Sequence, residues 1–228
     1  MLGLAFAILI SVGIPIMSFL YACKKRRLIP FLLGMVAFVV SQVMLRIPLL
    51  NFLGRNSTDY IFFSLSHPFL FAIFLGLTAG LFEETARFVA MRFFMKQLEW
   101  QSGFLFGTGH GGIEALIFVG IPVLKYAFTA TFNPFEAPFF IGGVERFFAI
   151  ILHIGLSIIV LQAVVQRKIV YVLVAILIHT VVNAGIVGIL PLYISADDAV
   201  VVIEVVLAVV ALSVFSYTIW IKRKGIFE

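Results

Sequence analysis

The chain has 228 residues, of which 63% are hydrophobic and 12% charged, with a mean hydropathy of +1.18. That balance excludes a soluble globular domain and indicates a polytopic membrane protein. A single cysteine, Cys23, excludes an internal disulfide framework, and the net charge of +5 reports topology instead of nucleic-acid binding because of where the basic residues fall.

About 20 apolar residues are needed to cross the hydrocarbon, and seven stretches qualify: roughly 2–22, 31–50, 66–91, 101–124, 142–165, 169–190 and 198–221. Connections are short, so residues 1–228 are expected to form one all-α transmembrane bundle of about seven helices. Segment 1 has no basic residue before it and a basic cluster after it, which predicts a retained helix and not a cleavable signal. Lys24, Lys25, Arg26, Arg27, Arg92, Lys96, Arg167, Lys168, Lys222, Arg223 and Lys224 all fall on one side if the segments alternate. The opposite loops carry only Arg55 and Lys125, together with Asp59, Glu136, Asp197 and Asp198. The positive-inside rule then places the N-terminus outside and the C-terminus in the cytosol. Trp100 and Trp220 sit at the expected cytosolic ends, where indole rings favour the headgroup region.

Between segments, Asn51–Asp59 reads as a polar turn, and the loop Asn133–Pro138, with two prolines, reads as an outer-interface segment. Gly76 and Gly80 on segment 3, and Gly103, Gly107 and Gly111 on segment 4, make small faces suited to close packing in lipid. The expectation is that segments 3 and 4 pack on one another.

Ionisable residues inside apolar helices are costly and mark function. Segment 3 holds Glu83, Glu84 and Arg87; segment 4 holds His110 and Glu114; segment 5 holds His153; segment 6 holds His179 and Asn183. Counted from the cytosolic helix ends, Glu83 lies about 12 Å deep, His110 about 11 Å and His179 about 15 Å. Glu114, His153 and Asn183 come out at about 17–21 Å, so all fall in one layer. Glu83 with Arg87, His110 with Glu114, and His179 with Asn183 are each four residues apart and share a helix face. Two adjacent carboxylates against one arginine leave an acid free for general acid–base work. Glu114 either orients His110 or pairs with Arg146. His179 and Asn183 suit an oxyanion or a metal, and His110, His153 and His179 with one glutamate suit a tetrahedral Zn²⁺ site. Gln42 and Arg46, one turn apart, line the cavity or snorkel. His67-Pro68 reads as a helix start, and Ser157 near His153 lacks the surroundings of a serine dyad.

Glu83-Glu84 with Arg87, Phe106-x-x-x-His110 and His179-x-x-x-Asn183 resemble, in order, the motifs of the CAAX-processing and bacteriocin-processing membrane proteases. The arginine follows after two residues instead of three. That shorter form, with Gly109-His110-Gly111-Gly112-Ile113-Glu114, is closer to the YhfC-like intramembrane metalloproteases, and PrsW-like proteases share a Glu-Glu-x-x-basic opening. The resemblance covers segments 3, 4 and 6. It implies a multi-pass protease of the plasma (inner) membrane, acting on a membrane protein or peptide within or beside the bilayer, with no nucleic-acid partner. It also implies roles: Glu83 activates water with Glu84 assisting, His110 positions that water, and His179 with Asn183 stabilises the oxyanion. Glu114 belongs to the YhfC-like pattern. Water is expected to enter from the cytosolic half. A non-catalytic peptide-binding or immunity factor using the same cavity, and a proton or metal-ion transporter, are the competing readings; no internal repeat supports the transporter.

Overall fold

Seven apolar stretches without strand periodicity must satisfy their backbone groups within helices, and the computed structural model, which describes residues 2–129, 138–193 and 195–227, is helical with no strand among them. Helix α1 covers Leu2–Lys24 and α2 covers Leu28–Asn56. A short α3, Thr58–Ser66, precedes α4, Pro68–Phe93. Then follow α5, Trp100–Thr129, α6, Pro138–Gln166, α7, Val170–Val181, and α8, Ala196–Arg223. The expected loop around Asn133–Pro138 lies outside the described residues, save that Pro138 opens α6.

Of these, α1, α2, α4, α5, α6 and α8 are long and apolar enough to cross a membrane, and α7 is a shorter apolar helix. The protein is a multi-pass integral membrane protein. Helix α6 is the central one: 83% of its apolar window is buried, against 17–39% in the other five spans. It touches α1, α4, α5, α7 and α8, while Leu2, Phe62, Val201 and similar residues point outward, as lipid-facing positions should. The polar turn expected over Asn51–Asp59 is narrower than composition suggested. Helix α2 runs on to Asn56, and extended Ser57 caps α3 by accepting a bond from the Tyr60 amide at 3.2 Å. His67 starts α4, as expected.

The small-residue faces do not meet each other. Gly80 packs on Ile176 of α7 and Gly76 on Ala184 in the π-helical stretch Val182–Ile189 that follows it, while Gly107 and Gly111 pack on Ile154 and Ile150 of α6. Helix α5 is instead clamped between α2 and α6. At Gly34 of α2 a Cβ would overlap the Phe106 carbonyl, so glycine alone permits that approach. A small face specifies close packing but not the partner.

The basic clusters gather at one end. Arg27 donates to Ser102 at 2.7 Å and pairs with Glu99, and Lys222 lies 4.3 Å from the centre of the Trp100 ring. Trp100 also donates to the Thr218 carbonyl at 3.1 Å. The ends of α1 and α8 and the start of α5 thus share one face, as alternation requires.

Candidate active site

Four helices bring the polar layer together. Helix α4 presents Glu83, Glu84 and Arg87, all buried. Arg87 Nε lies 3.2 Å from Glu84 Oε2, and its Nη2 only 3.8 Å from Glu83. Glu84 Oε1 also takes a bond from His179 Nδ1 at 2.7 Å. A carboxylate only accepts, so a neutral His179 carries its proton on Nδ1 and turns its Nε2 lone pair toward Glu83, 3.7 Å away.

Glu83 has different company. It accepts from Gln42 Nε2 at 2.7 Å and faces His110 Nε2 at 2.9 Å. Gln42 is held in turn by Arg46 at 3.1 Å, and Arg46 is anchored on Thr78 and the Leu75 carbonyl. Of the pair read from sequence as lining or snorkelling, Gln42 therefore reaches the site through Glu83, and Arg46 supports Gln42 from behind.

His153 is oriented from both sides. Arg87 Nη2 donates to its Nδ1 at 3.1 Å and Nη1 to its carbonyl at 2.8 Å. The proton must then sit on Nε2, which meets Glu114 Oε2 at 2.5 Å. Glu114 pairs with Arg146 at 2.8 Å and not with His110. Of the two partners weighed for Glu114, Arg146 is present and His110 is replaced by His153. Ser157 accepts from Arg87 at 2.7 Å, and both ring nitrogens of His153 are engaged by Arg87 and Glu114 instead of by Ser157.

Glu83, Glu114, His153, His179 and Asn183 border a cavity of about 70 Å³, room for about two waters. Asn183 reaches it from a π-helical stretch, Val182–Ile189. Two further π stretches adjoin the site: Val39–Arg46 carries Gln42, and Leu116–Gly120 follows Glu114. The widened turns re-aim side chains that a regular helix would place elsewhere.

Glu83, His110 and His153 have ligand atoms that all lie within 4.8 Å of one another. Two imidazoles and a carboxylate form the donor set of a catalytic zinc. The 2.9 Å between His110 Nε2 and Glu83 Oε2 is near the ~3.3 Å ligand separation of a tetrahedron with bonds of about 2.0–2.1 Å. The site therefore fits a metal. His153 enters such a set by exchanging its Arg87 or Glu114 contact for the cation, and His179 stands beside it, tethered by Glu84.

A family model for the YhfC intramembrane metalloprotease matches residues 8–137 and 128–207. The chain belongs to that family. Among curated proteins, the uncharacterized membrane protein YhfC of Bacillus subtilis (strain 168) is 34% identical, over 72% of this chain and 73% of its own. No solved structure matches. The family assignment agrees with the resemblance read from the Glu83, His110 and His179 motifs.

Sequence reasoning passed over two ionisable groups beside the site. Glu145 pairs with Arg146, and Glu204 of α8 faces the same two residues. The signal was present: Glu204 stands alone in Val201-Val202-Ile203-Glu204-Val205-Val206, as conspicuous as Glu83 in its own apolar run.

Proposed function

We propose that this site hydrolyses a peptide bond within or beside the bilayer, with Glu83 as the group that takes a proton from water. The observation that carries it is the water-sized cavity bordered by Glu83, Glu114, His153, His179 and Asn183, deep among transmembrane helices. Glu83 is the carboxylate without a close cation: Arg87 sits nearer Glu84, so Glu83 keeps its basicity while Gln42 and His110 fix its two oxygens. The Asn183 amide borders the same cavity and can donate to an oxyanion, whereas His179, whose Nδ1 proton is committed to Glu84, would join it only as an imidazolium. A zinc bound at His110 and His153, with Glu83 beside it as the base and not as a ligand, would supply Lewis acidity and lower the pKa of water. The remaining work falls to the chain: Arg87 neutralises Glu84 and orients His153, and Glu114 secures the tautomer of His153 from its other side.

Metal analysis of the protein in mild detergent tests the metal, and cleavage of a quenched-fluorescent transmembrane peptide pool tests the hydrolysis. About one zinc per chain, lost in His110→Ala and His153→Ala variants that still fold, is expected, with turnover that disappears in Glu83→Gln. Turnover at the native rate in Glu83→Gln would refute the assignment. A folded, metal-loaded protein with no turnover on any substrate would favour the peptide-binding alternative.

A further inference from the structure

We infer that the cavity communicates with water at the end of the bundle opposite the basic clusters, so that water and the polar segment of a substrate enter from the outer side. The substrate part rests on the hydrolytic reading above; the access part does not. This is the reverse of the cytosolic entry expected from the sequence.

Two halves of the bundle carry the argument. Toward the basic end the site is closed by a dry cluster that includes Met91, Phe106, Leu156, Val160 and Leu161, each 0% exposed. The buried Gln162 in that region is satisfied by the Tyr217 hydroxyl at 3.0 Å. Among the described residues, exposure increases in the other direction. Side-chain exposure rises from 6% at Glu83 and 7% at His153 to 16% at Glu114, 12% at Arg146 and 35% at Glu145. Glu145 lines the same cavity as Glu83. It lies seven residues after Pro138, about 10 Å from the non-basic end of α6, and Glu204 lies about 12 Å from the start of α8.

A charged side chain that stays partly exposed inside a span is cheapest when its exposed part faces water, since facing hydrocarbon costs on the order of 2.5–3.5 kcal/mol at a span's centre and less toward its ends. Glu145 and Glu204 therefore mark an aqueous mouth, with Arg146 between them and Glu114. Glu83, Glu114 and Glu145 on the cavity wall, with Glu204 beside them, outnumber the one arginine of that wall, Arg146, and make it an acidic one. The chemistry suits a membrane-anchored protein whose cleaved stretch lies in the outer half of the bilayer and carries polar or basic residues.

Cysteine accessibility decides it without any substrate. In a Cys23→Ser background, Ala149→Cys and Ile203→Cys both place a thiol on the cavity wall, and exposed Lys25→Cys marks the basic face. Membrane-impermeant cationic and anionic methanethiosulfonates are applied to sealed right-side-out and inverted vesicles. Ala149→Cys and Ile203→Cys should react from the face opposite Lys25→Cys, with the cationic reagent about tenfold faster than the anionic one. Glu145→Gln with Glu204→Gln should erase that preference. Reaction from the Lys25 face alone, or reaction from neither face in a protein that remains monodisperse in detergent, overturns the inference. Labelling from the outer face without peptide turnover would leave the access path standing and count against the protease.

Discussion

Two carboxylate–guanidinium networks meet in this molecule, and they are built differently. The inner one, Glu83, Glu84 and Arg87, comes from a single stretch of α4, and its arginine and Glu84 are completely buried. The outer one, Glu114, Glu145 and Arg146, joins α5 to α6 and opens toward one end of the bundle. Each contains two acids and one arginine, yet only the inner network separates its acids by role. Arg87 and His179 occupy Glu84, while Glu83 is left to Gln42, His110 and the cavity. An arginine beside paired acids thus selects which one stays free, and geometry makes the choice.

The sharpest way to break this division is Glu83→Gln, which keeps shape and burial but removes the base. Peptide cleavage is expected to fall about 10²–10⁴-fold with folding intact, whereas Glu84→Gln should act mainly on stability. Arg87→Met comes next. It leaves Glu84 buried without its cation and should destabilise by about 3–5 kcal/mol, measured as detergent-resistant unfolding. Adding Glu84→Gln should recover much of that loss; failure of this rescue would mean that the Glu84 contact is not what Arg87 supplies. Glu114→Gln weakens the hold on His153 and should reduce activity or metal affinity by about 10–100-fold. The smallest effect belongs to Glu145→Gln: a partly exposed pair is worth about 0–1 kcal/mol, so the melting temperature should barely move. If Glu145→Gln proved as damaging as Arg87→Met, the outer network would be a structural core and the contrast between the two would collapse.

Much of this was legible in the residues themselves. The apolar runs marked the spans, because length and hydropathy are local properties, and the basic residues after segments 1, 3, 5 and 7 foretold the shared end where Arg27 meets Glu99 and Lys222 meets Trp100. The motif pattern pointed to the family that the comparison then showed. Counting residues also placed Glu83, His110 and His179 at one depth, and the structure brings all three together.

What the chain by itself determined, then, was which residues lie in the membrane and how deep. Position along a helix axis follows from the 1.5 Å rise and nothing else. Rotation about that axis, and the identity of the neighbour, were decided only by tertiary packing. Hence Glu114 turned to His153 and Arg146 instead of His110, and the glycine faces of α4 and α5 chose α7 and α6 instead of each other. The π stretches shift the angular register by part of a turn, so Gln42 and Asn183 reach the site at angles that no count of fours predicts. The dry plug on one side of Glu83 and the acidic mouth on the other have the same cause: both are made by residues from several helices, and neither exists until those helices pack.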